Sequence, residues 1–311
     1  MKPVAKGNIA MFVSKTFSGL NENALRYLLP RWMSAYSGVV MRLVFGTLFF
    51  WVASKVDPEA RRQRSSAGMK LALFAVGAVC MFGYMFALLQ GLSYTTPISS
   101  SIFISMEPVW VFLICVIFLH DRVTWMKITG ILLGLGGAFI IIMTQKSSDV
   151  ASNPMLGNIY CLASSLLYAI YLVLQKQFLK HTDMYTVNRW AFLGGACVAA
   201  ISILFTGWDA SVLHQSLFST PMLVLLFVLI FPSAVSYLLL SIGLRNLSAT
   251  VVAIYGYLIL IVATIVSYIL GQDHFDWWQM LSIVMIVASV YFVEIANAKT
   301  VSKTSSSPTG K

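Results

Sequence analysis

Long stretches without any charged residue constrain the fold of this chain more than any other feature. Ranges 71–106, 150–175, 190–208, 215–244 and 246–272 contain no Asp, Glu, Lys or Arg. A membrane-spanning helix needs about 20 mostly apolar residues, whereas strands of a membrane barrel alternate apolar and polar residues in short segments. Only 10% of the 311 residues are charged, against roughly 25% in soluble domains. The sequence therefore predicts an all-α membrane protein.

The hydrophobic pattern predicts ten transmembrane helices. Their orientation follows from the basic residues, which collect on the cytoplasmic side of membrane proteins. Of the 21 Lys and Arg residues, Lys15 and Arg42 lie within spans, and Arg26, Arg31 and Lys146 fall outside the cell, which leaves sixteen on the inner side when the N-terminus is cytoplasmic. We expect a multi-pass protein of the inner membrane with both termini in the cytoplasm. The predicted spans are 7–25, 34–54, 70–90, 96–119, 126–143, 156–175, 187–206, 222–243, 248–270 and 277–296.

The two halves of the chain resemble each other. Gly7-Asn8-Ile9 recurs at 157–159, Gly91-Leu92 at 243–244, and Asp121 with Trp125 at 273 and 277, with offsets of 150, 152 and 152. Five spans is an odd number, so the second copy must enter the membrane the opposite way up, as in carriers with inverted repeats. We expect repeats at 1–149 and 150–297, followed by a disordered cytoplasmic tail at 298–311.

Three charged residues lie inside the predicted spans: Lys15, Arg42 and Glu107. A charge at the bilayer centre costs roughly 2.5–3.5 kcal/mol on insertion scales, so it persists where it faces the bundle interior or a wet cavity. Two cations and one anion leave a surplus positive charge, which an anionic ligand group can match. The alternative for Arg42 and Lys15 is a fixed ion pair with Glu107, and for Glu107 the functional alternative is a protonatable coupling group.

Polar and aromatic residues complete the candidate site. Ser18 and Asn21 lie on or beside the polar face of helix one, and Tyr168 and Tyr171 lie on the matching face of helix six. Ser100 precedes Glu107 on the same face of helix four. Alternatives are hydrogen bonds between helices and, for tyrosines near span ends, interfacial anchoring. Tyr84, Tyr237 and Tyr257 are weaker candidates on helices three, eight and nine.

Other function classes lack their motifs. No H-E-x-x-H, G-x-S-x-G or P-loop pattern occurs, so we expect neither an enzyme, nor an ATP-driven pump, nor a cofactor or metal. The four cysteines, at 80, 115, 161 and 197, are too far apart for a zinc spacing or a disulfide framework. The net charge is +10, but the basic residues flank apolar runs and do not form a basic face. This distribution argues against nucleic acid as a partner.

The chain resembles the drug/metabolite transporter superfamily in its ten-span EamA-type form. The resemblance covers the chain to about residue 297 and rests on 18–21 (Ser-Gly-Leu-Asn), Arg42, the proline-centred 105–110, the inner turn 120–124 and 167–169. Ser18 and Tyr168 replace tryptophans usual in the family, and Lys15 is unusual for it. The resemblance implies export or exchange of small metabolites through a cavity lined by helices one, two, three, four, six, eight and nine.

These observations predict a secondary transporter that moves a small polar or amphipathic metabolite by alternating access. The substrate we expect bears a carboxylate, as an amino acid does. Lys15 and Arg42 are assigned to anion recognition, and Glu107 to substrate contact and to coupling with protons. The alternative is an uncoupled channel or facilitator for small solutes.

Overall fold

The computed structural model of the protein describes residues 3–29, 31–58, 65–94, 105–121, 123–144, 153–269 and 277–305. Within these ranges the chain is helical and forms no strand, as the uncharged runs predict. A short 3₁₀ turn, Ser211–His214, lies between the seventh and eighth long helices. The long helices are α1 (Pro3–Leu28), α2 (Ala35–Val56), α3 (Ala67–Val76 and Phe82–Tyr94, joined by the π-helical Gly77–Met81), α4 (Glu107–Leu119), α5 (Trp125–Thr144), α6 (Pro154–Phe178), α7 (Met184–Thr206), α8 (Thr220–Ile230 and Ser236–Asn246, joined by the π-helical Phe231–Val235), α9 (Ala249–Ile254 and Tyr257–Ile269) and α10 (Trp277–Ser305).

Polar residues cap the N-termini of half of these helices. Ser34, Ser66, Asn153, Asp183 and Ser248 each accept a hydrogen bond from the backbone N–H three residues further on. Such a cap satisfies one of the four N–H groups that the first turn of a helix leaves free. The caps explain why α2, α3, α6, α7 and α9 begin where a polar residue precedes an apolar run.

The fourth helix differs from its prediction. A turn at 105–106 precedes α4, so Glu107 is its first residue rather than a residue in mid-helix. Pro108 therefore lies in the first turn, where the missing N–H would have had no partner in any case. Ser100 lies outside the described residues. At the other end of the chain α10 continues to Ser305, past the predicted boundary at 297.

The helices pack in a pattern that is unchanged when the two halves are exchanged. α1 packs on α8 and α9, and its counterpart α6 packs on α3 and α4. α2 packs on α7, and α5 packs on α10. The interruptions also match, since π-helical turns occur at 77–81 and 231–235, and turns precede Glu107 and Tyr257. The described part of the chain thus has the packing of two related five-helix units.

The outer surface of the bundle is apolar. Among the residues that the structure describes, five helices are long and apolar enough to cross a membrane, and the regions of α4, α5, α9 and α10 contain shorter apolar segments. The first helix is long enough but less apolar, because it carries Lys6 and Lys15. Large apolar side chains face outward, as Leu204 and Phe205 on α7 do at 81% and 85% exposure. Such a surface suits lipid contact and defines a multi-pass membrane protein.

Candidate functional site

Four tyrosines from three helices meet in the interior of the bundle. We call Tyr84 of α3, Tyr168 and Tyr171 of α6, and Tyr237 of α8 the tyrosine cluster. The ring centroids of Tyr84 and Tyr168 lie 4.8 Å apart, and those of Tyr168 and Tyr171 lie 6.3 Å apart. The hydroxyl groups of Tyr84 and Tyr237 are hydrogen-bonded to each other. The cluster brings together residues from both halves of the chain, which is where carriers with inverted repeats bind their substrates.

Backbone-directed hydrogen bonds fix the helices that carry the cluster. Ser164 on α6 donates to the carbonyl oxygen of Tyr84 at 2.9 Å. Ser14 on α1 donates to the carbonyl oxygen of Ser236 on α8 at 2.9 Å, and Ser236 donates back to the carbonyl of Ser14 at 3.3 Å. Interhelical bonds of this kind contribute about 0.6 kcal/mol each in membranes. They hold α1 and α8 in register beside the cluster.

Lys15 is the buried cation of the site. Its side chain is 3% exposed, and its Nζ lies 5.5 Å from the centroid of the Tyr168 ring. A desolvated ammonium over an aromatic face is stabilised by about 2 kcal/mol. Glu107 is close enough to interact electrostatically with Lys15, yet no ion pair joins the two in the described part of the chain. The Lys15 ammonium is therefore available to an anionic group of a ligand.

Glu107 lies where α4 begins and faces the same region. It is 7% exposed, and its Oε1 has no hydrogen-bond partner. The Nε1 of Trp110, one turn further on, donates to Ser165 Oγ on α6 at 3.2 Å and so holds the start of α4 against α6. Glu107 also interacts electrostatically with Tyr168 and Tyr257. A buried carboxyl oxygen without a hydrogen bond is costly, so Oε1 of Glu107 is open to a donor or a cation supplied by a ligand.

Arg42 is separate from Glu107. Its Nε donates to Ser233 Oγ at 2.9 Å, and its charge acts on Tyr237 of the cluster. Ser233 lies in the π-helical turn of α8 and itself donates to the carbonyl oxygen of Val228 at 2.9 Å. The predicted alternative that Arg42 is an ion-pair partner of Glu107 has no counterpart among the described contacts. Arg42 thus adds a second positive charge beside Tyr237, whereas Lys15 lies beside Tyr168.

The remaining predicted residues are less closely connected. Ser18 donates to the carbonyl oxygen of Ser14 on its own helix at 3.0 Å. Asn21 is buried, and its Oδ1 has no partner. Tyr257 is fully buried, but no ring contact joins it to the tyrosine cluster among the described residues. The charged and aromatic residues are therefore brought together, whereas Ser18 and Asn21 lie along α1 beside them.

Sequence reasoning missed Ser233, as well as Asn188 and Ser241, which bond to Gln175. The sequence signal for Ser233 is Pro232 in the middle of the predicted eighth span, because proline cannot continue an α-helix undisturbed.

A second network links Gln175 on α6, Asn188 on α7 and Ser241 on α8, with Asn188 Nδ2 donating to Ser241 Oγ at 2.7 Å. In the other half, Gln90 on α3 donates to the hydroxyl of Tyr36 on α2.

Helices in two related units around buried charges and aromatic rings define a polytopic membrane protein that handles small solutes. The model of the EamA-like transporter family matches residues 5–143 and 155–295, one match in each half. The chain belongs to the EamA-like transporter family, which confirms the resemblance seen in the sequence.

Relatives agree with this assignment. The chain is 23% identical over 220 residues to the uncharacterized transporter YyaM of Bacillus subtilis, covering 69% of this chain and 70% of that one. It is 25% identical over 228 residues to an S-adenosylmethionine uptake transporter of Rickettsia bellii, covering 73% of each. A solved crystal structure of a protein superposes with a TM-score of 0.76 at 15% identity, covering 96% of this chain and 98% of that one, which shows the shared fold. The protein is accordingly a membrane transporter of small solutes and not an enzyme.

Proposed function

We propose that this chain is a secondary transporter that exports or exchanges a small carboxylate-bearing metabolite, such as an amino acid, by alternating access. One observation carries the proposal: the buried Lys15 ammonium lies over the ring face of Tyr168 without an ion pair. Arg42 adds a second, partly buried positive charge, and Glu107 is the acid that interacts electrostatically with Lys15 and Tyr168. The surplus positive charge suits the carboxylate of a substrate, which Lys15 and Arg42 would hold.

The tyrosine cluster supplies the rest of the binding surface. Rings with hydroxyl groups present apolar faces and polar edges together, which suits an amphipathic metabolite. Tyr84, Tyr168, Tyr171 and Tyr237 would contact its body. The relative that takes up S-adenosylmethionine supports a substrate of this kind, because that compound has an amino-acid end with a carboxylate.

The test is counterflow in proteoliposomes with a panel of labelled amino acids and related metabolites. We expect saturable exchange of at least one carboxylate-bearing substrate, and Lys15→Met should abolish that exchange because the substituted side chain keeps length but no charge. Lys180→Met is the matched control, since Lys180 is exposed, lies in the turn after α6 and bonds to Gln177 of that helix. Size-exclusion profiles and unfolding midpoints establish that the variants are folded.

Two results would overturn the proposal. A folded Lys15→Met protein that exchanged every anionic substrate at the wild-type rate would remove the role of the charge. Unsaturable flux without counterflow stimulation would instead identify a channel or an uncoupled facilitator.

A further inference from the structure

Arg189 on α7 reaches across to α2 near the end of the bundle that is predicted to face the cytoplasm. Its Nη1 donates to Ser54 Oγ at 3.2 Å, and its Cζ lies 5.5 Å from the centroid of the Trp51 ring. The ring centroids of Trp51 and Trp190, the residue after Arg189, are 6.1 Å apart. One guanidinium group and two indole rings are therefore assembled between α2 and α7.

The Arg189 guanidinium has more hydrogen-bond donors than acceptors around it. It carries five N–H groups, but within the described ranges it bonds only to the neutral hydroxyl of Ser54, and no carboxylate pairs with it. Its Nε is buried without a partner, whereas Nη2 also has no partner but is not buried. The site therefore has an unmatched positive charge with a donor at the surface, which suits an anionic acceptor.

The site lies at a depth from which the guanidinium can reach a lipid headgroup. Arg189 is five residues from the first residue of α7, and Trp51 is five residues from the last residue of α2, so each lies about 7.5 Å inside its helix end. Ser54 lies only about 3 Å inside, so the guanidinium extends toward the headgroup layer, as long basic side chains do. Trp51 and Val52 are 37% and 64% exposed, which places the site on the surface that faces the lipid.

The packing of α2 on α7 does not require this cation. Ser34 and Asp183 cap α2 and α7 in the same way, each accepting from the N–H three residues further on. On this alignment Arg189, six residues after Asp183, corresponds to Val40, six residues after Ser34. The opposite end of the same helix pair thus packs with a buried valine at this place. The cation is specific to one face of the membrane.

We propose that Arg189, Trp51 and Lys55 form a binding site for the headgroup of an anionic phospholipid, such as phosphatidylglycerol, in the leaflet at this end of the bundle. A planar guanidinium donates to two phosphate oxygens at once while it stays stacked on an aromatic ring. Lys55 follows Ser54 and has an exposed side chain, so it adds attraction to the negative headgroup. Basic pockets between transmembrane helices on the cytoplasmic side are typical sites for such headgroups.

The test uses the purified full chain in a mild detergent. The unfolding midpoint is measured while phosphatidylglycerol is added, and separately with phosphatidylcholine and with inorganic phosphate. We expect phosphatidylglycerol to raise the midpoint, phosphatidylcholine to raise it much less because its headgroup has no net charge, and inorganic phosphate to have no effect. Arg189→Gln should increase the phosphatidylglycerol concentration for half-maximal stabilisation about tenfold, since the charged contact to the phosphate is lost.

Arg31→Gln is the matched control. Arg31 also lies over an indole ring, with its Cζ 5.4 Å from the centroid of Trp32, but it is exposed and lies near the opposite end of the bundle. Arg31→Gln should respond to phosphatidylglycerol as the wild type does.

Variants of Trp51 test the aromatic platform separately. Trp51→Phe keeps a ring and should respond nearly as the wild type does, whereas Trp51→Leu should need about threefold more lipid because the guanidinium is no longer held in place. Since Trp51 is partly exposed, these variants test the site even if Arg189→Gln does not fold. Equal responses of Trp51→Leu and Trp51→Phe would contradict the role of the ring.

Native mass spectrometry gives a second readout, because the number of retained phosphatidylglycerol molecules should fall in Arg189→Gln and not in Arg31→Gln. Equal stabilisation by phosphatidylcholine, or equal losses in both glutamine variants, would overturn the site. Stabilisation by inorganic phosphate would identify a free anion and overturn the lipid as the occupant. These measurements involve no transported substrate, so failure of the proposed function would leave their outcome unchanged.

Discussion

Lys15 Nζ lies 5.5 Å from the centroid of the Tyr168 ring, and these residues occupy nearly equivalent places on the two repeat-related helices α1 and α6. The sequence offset between them is close to the offsets of the repeat. A contact between near-equivalent positions lies close to the axis that relates the halves, where carriers built from inverted repeats bind their substrates. The cation of one half and the ring of the other therefore form the centre of the candidate site.

The ring of Tyr168, rather than its hydroxyl group, should support Lys15. Tyr168→Phe keeps the aromatic face, so we expect little change in the KM for counterflow. Tyr168→Ala removes about 1–2 kcal/mol of cation–π stabilisation and should raise KM about tenfold. Tyr291→Ala, at a position that is 63% exposed, is the control. Equal effects of the Phe and Ala variants would show that the hydroxyl group matters instead.

Arg42 should depend on Ser233 for its position. Ser233→Ala removes the acceptor of the Nε bond, and we expect a loss of about 1 kcal/mol in unfolding free energy because a partly buried hydrogen bond is lost. Arg42→Lys keeps the charge but loses the planar donor group, and it should raise the KM for anionic substrates. Denaturation curves and counterflow measure the two effects. Ser202→Ala, whose hydroxyl donates to its own helix, should leave both nearly unchanged.

The network of Gln175, Asn188 and Ser241 should hold α6, α7 and α8 together. Asn188→Ala removes the donor to Ser241 Oγ, so the three helices should separate more often. The measurement is the maleimide labelling rate of Leu240→Cys, a buried position on α8 outside the network, in a background without the native cysteines, with and without Asn188→Ala. We expect faster labelling in the double variant. Unchanged protection would show that apolar packing alone closes this region.

Close backbone contact between α3 and α7 should make Gly77 irreplaceable. A Cβ on Gly77 would overlap the backbone of Ala191, and one on Gly194 would overlap the carbonyl oxygen of Phe74. Gly77→Ala must therefore push the helices apart, and we expect poor folding yield or a lower unfolding midpoint. Gly68→Ala is the control, because nothing lies within 4 Å of the new Cβ. A stable Gly77→Ala protein would contradict the packing.

The inverted arrangement predicts the location of reporter fusions. With five spans before the middle of the chain, an alkaline phosphatase fusion after Ser148 should be active outside the cell, and one after Lys311 should be inactive. A green fluorescent protein at the C-terminus should fluoresce. Activity of both phosphatase fusions would contradict the opposite insertion of the halves.

The all-helical architecture could be predicted because long uncharged runs and an internal repeat can be read directly from the order of the residues. The sequence also identified Lys15, Arg42 and Glu107, since a charge among apolar residues is visible without coordinates. It could not pair them, because partners depend on helix rotation: Arg42 bonds to Ser233, while Lys15 faces Glu107 and Tyr168.

Other differences also arise from helix rotation. Tyr257 was grouped with the other tyrosines, but the turn at 255–256 directs it toward Gly134 and Ser289. Ser289 gave no signal at all, because a lone serine in an apolar helix resembles any other. Gly256 is the residue from which the interruption of α9 could have been predicted, because glycine disfavours a continuous helix.

The π-helical turns of α3 and α8 place Tyr84 and Tyr237 a few residues downstream of the extra residue. One inserted residue rotates everything after it by about 100° around the helix axis. The direction of both hydroxyl groups thus depends on the number of residues in each π-helical turn, and not only on the identity of the side chains. Deleting one residue from either turn would turn Tyr84 or Tyr237 away from the tyrosine cluster, together with every later side chain of the same helix, so the two halves of the chain would lose the contact that joins them there.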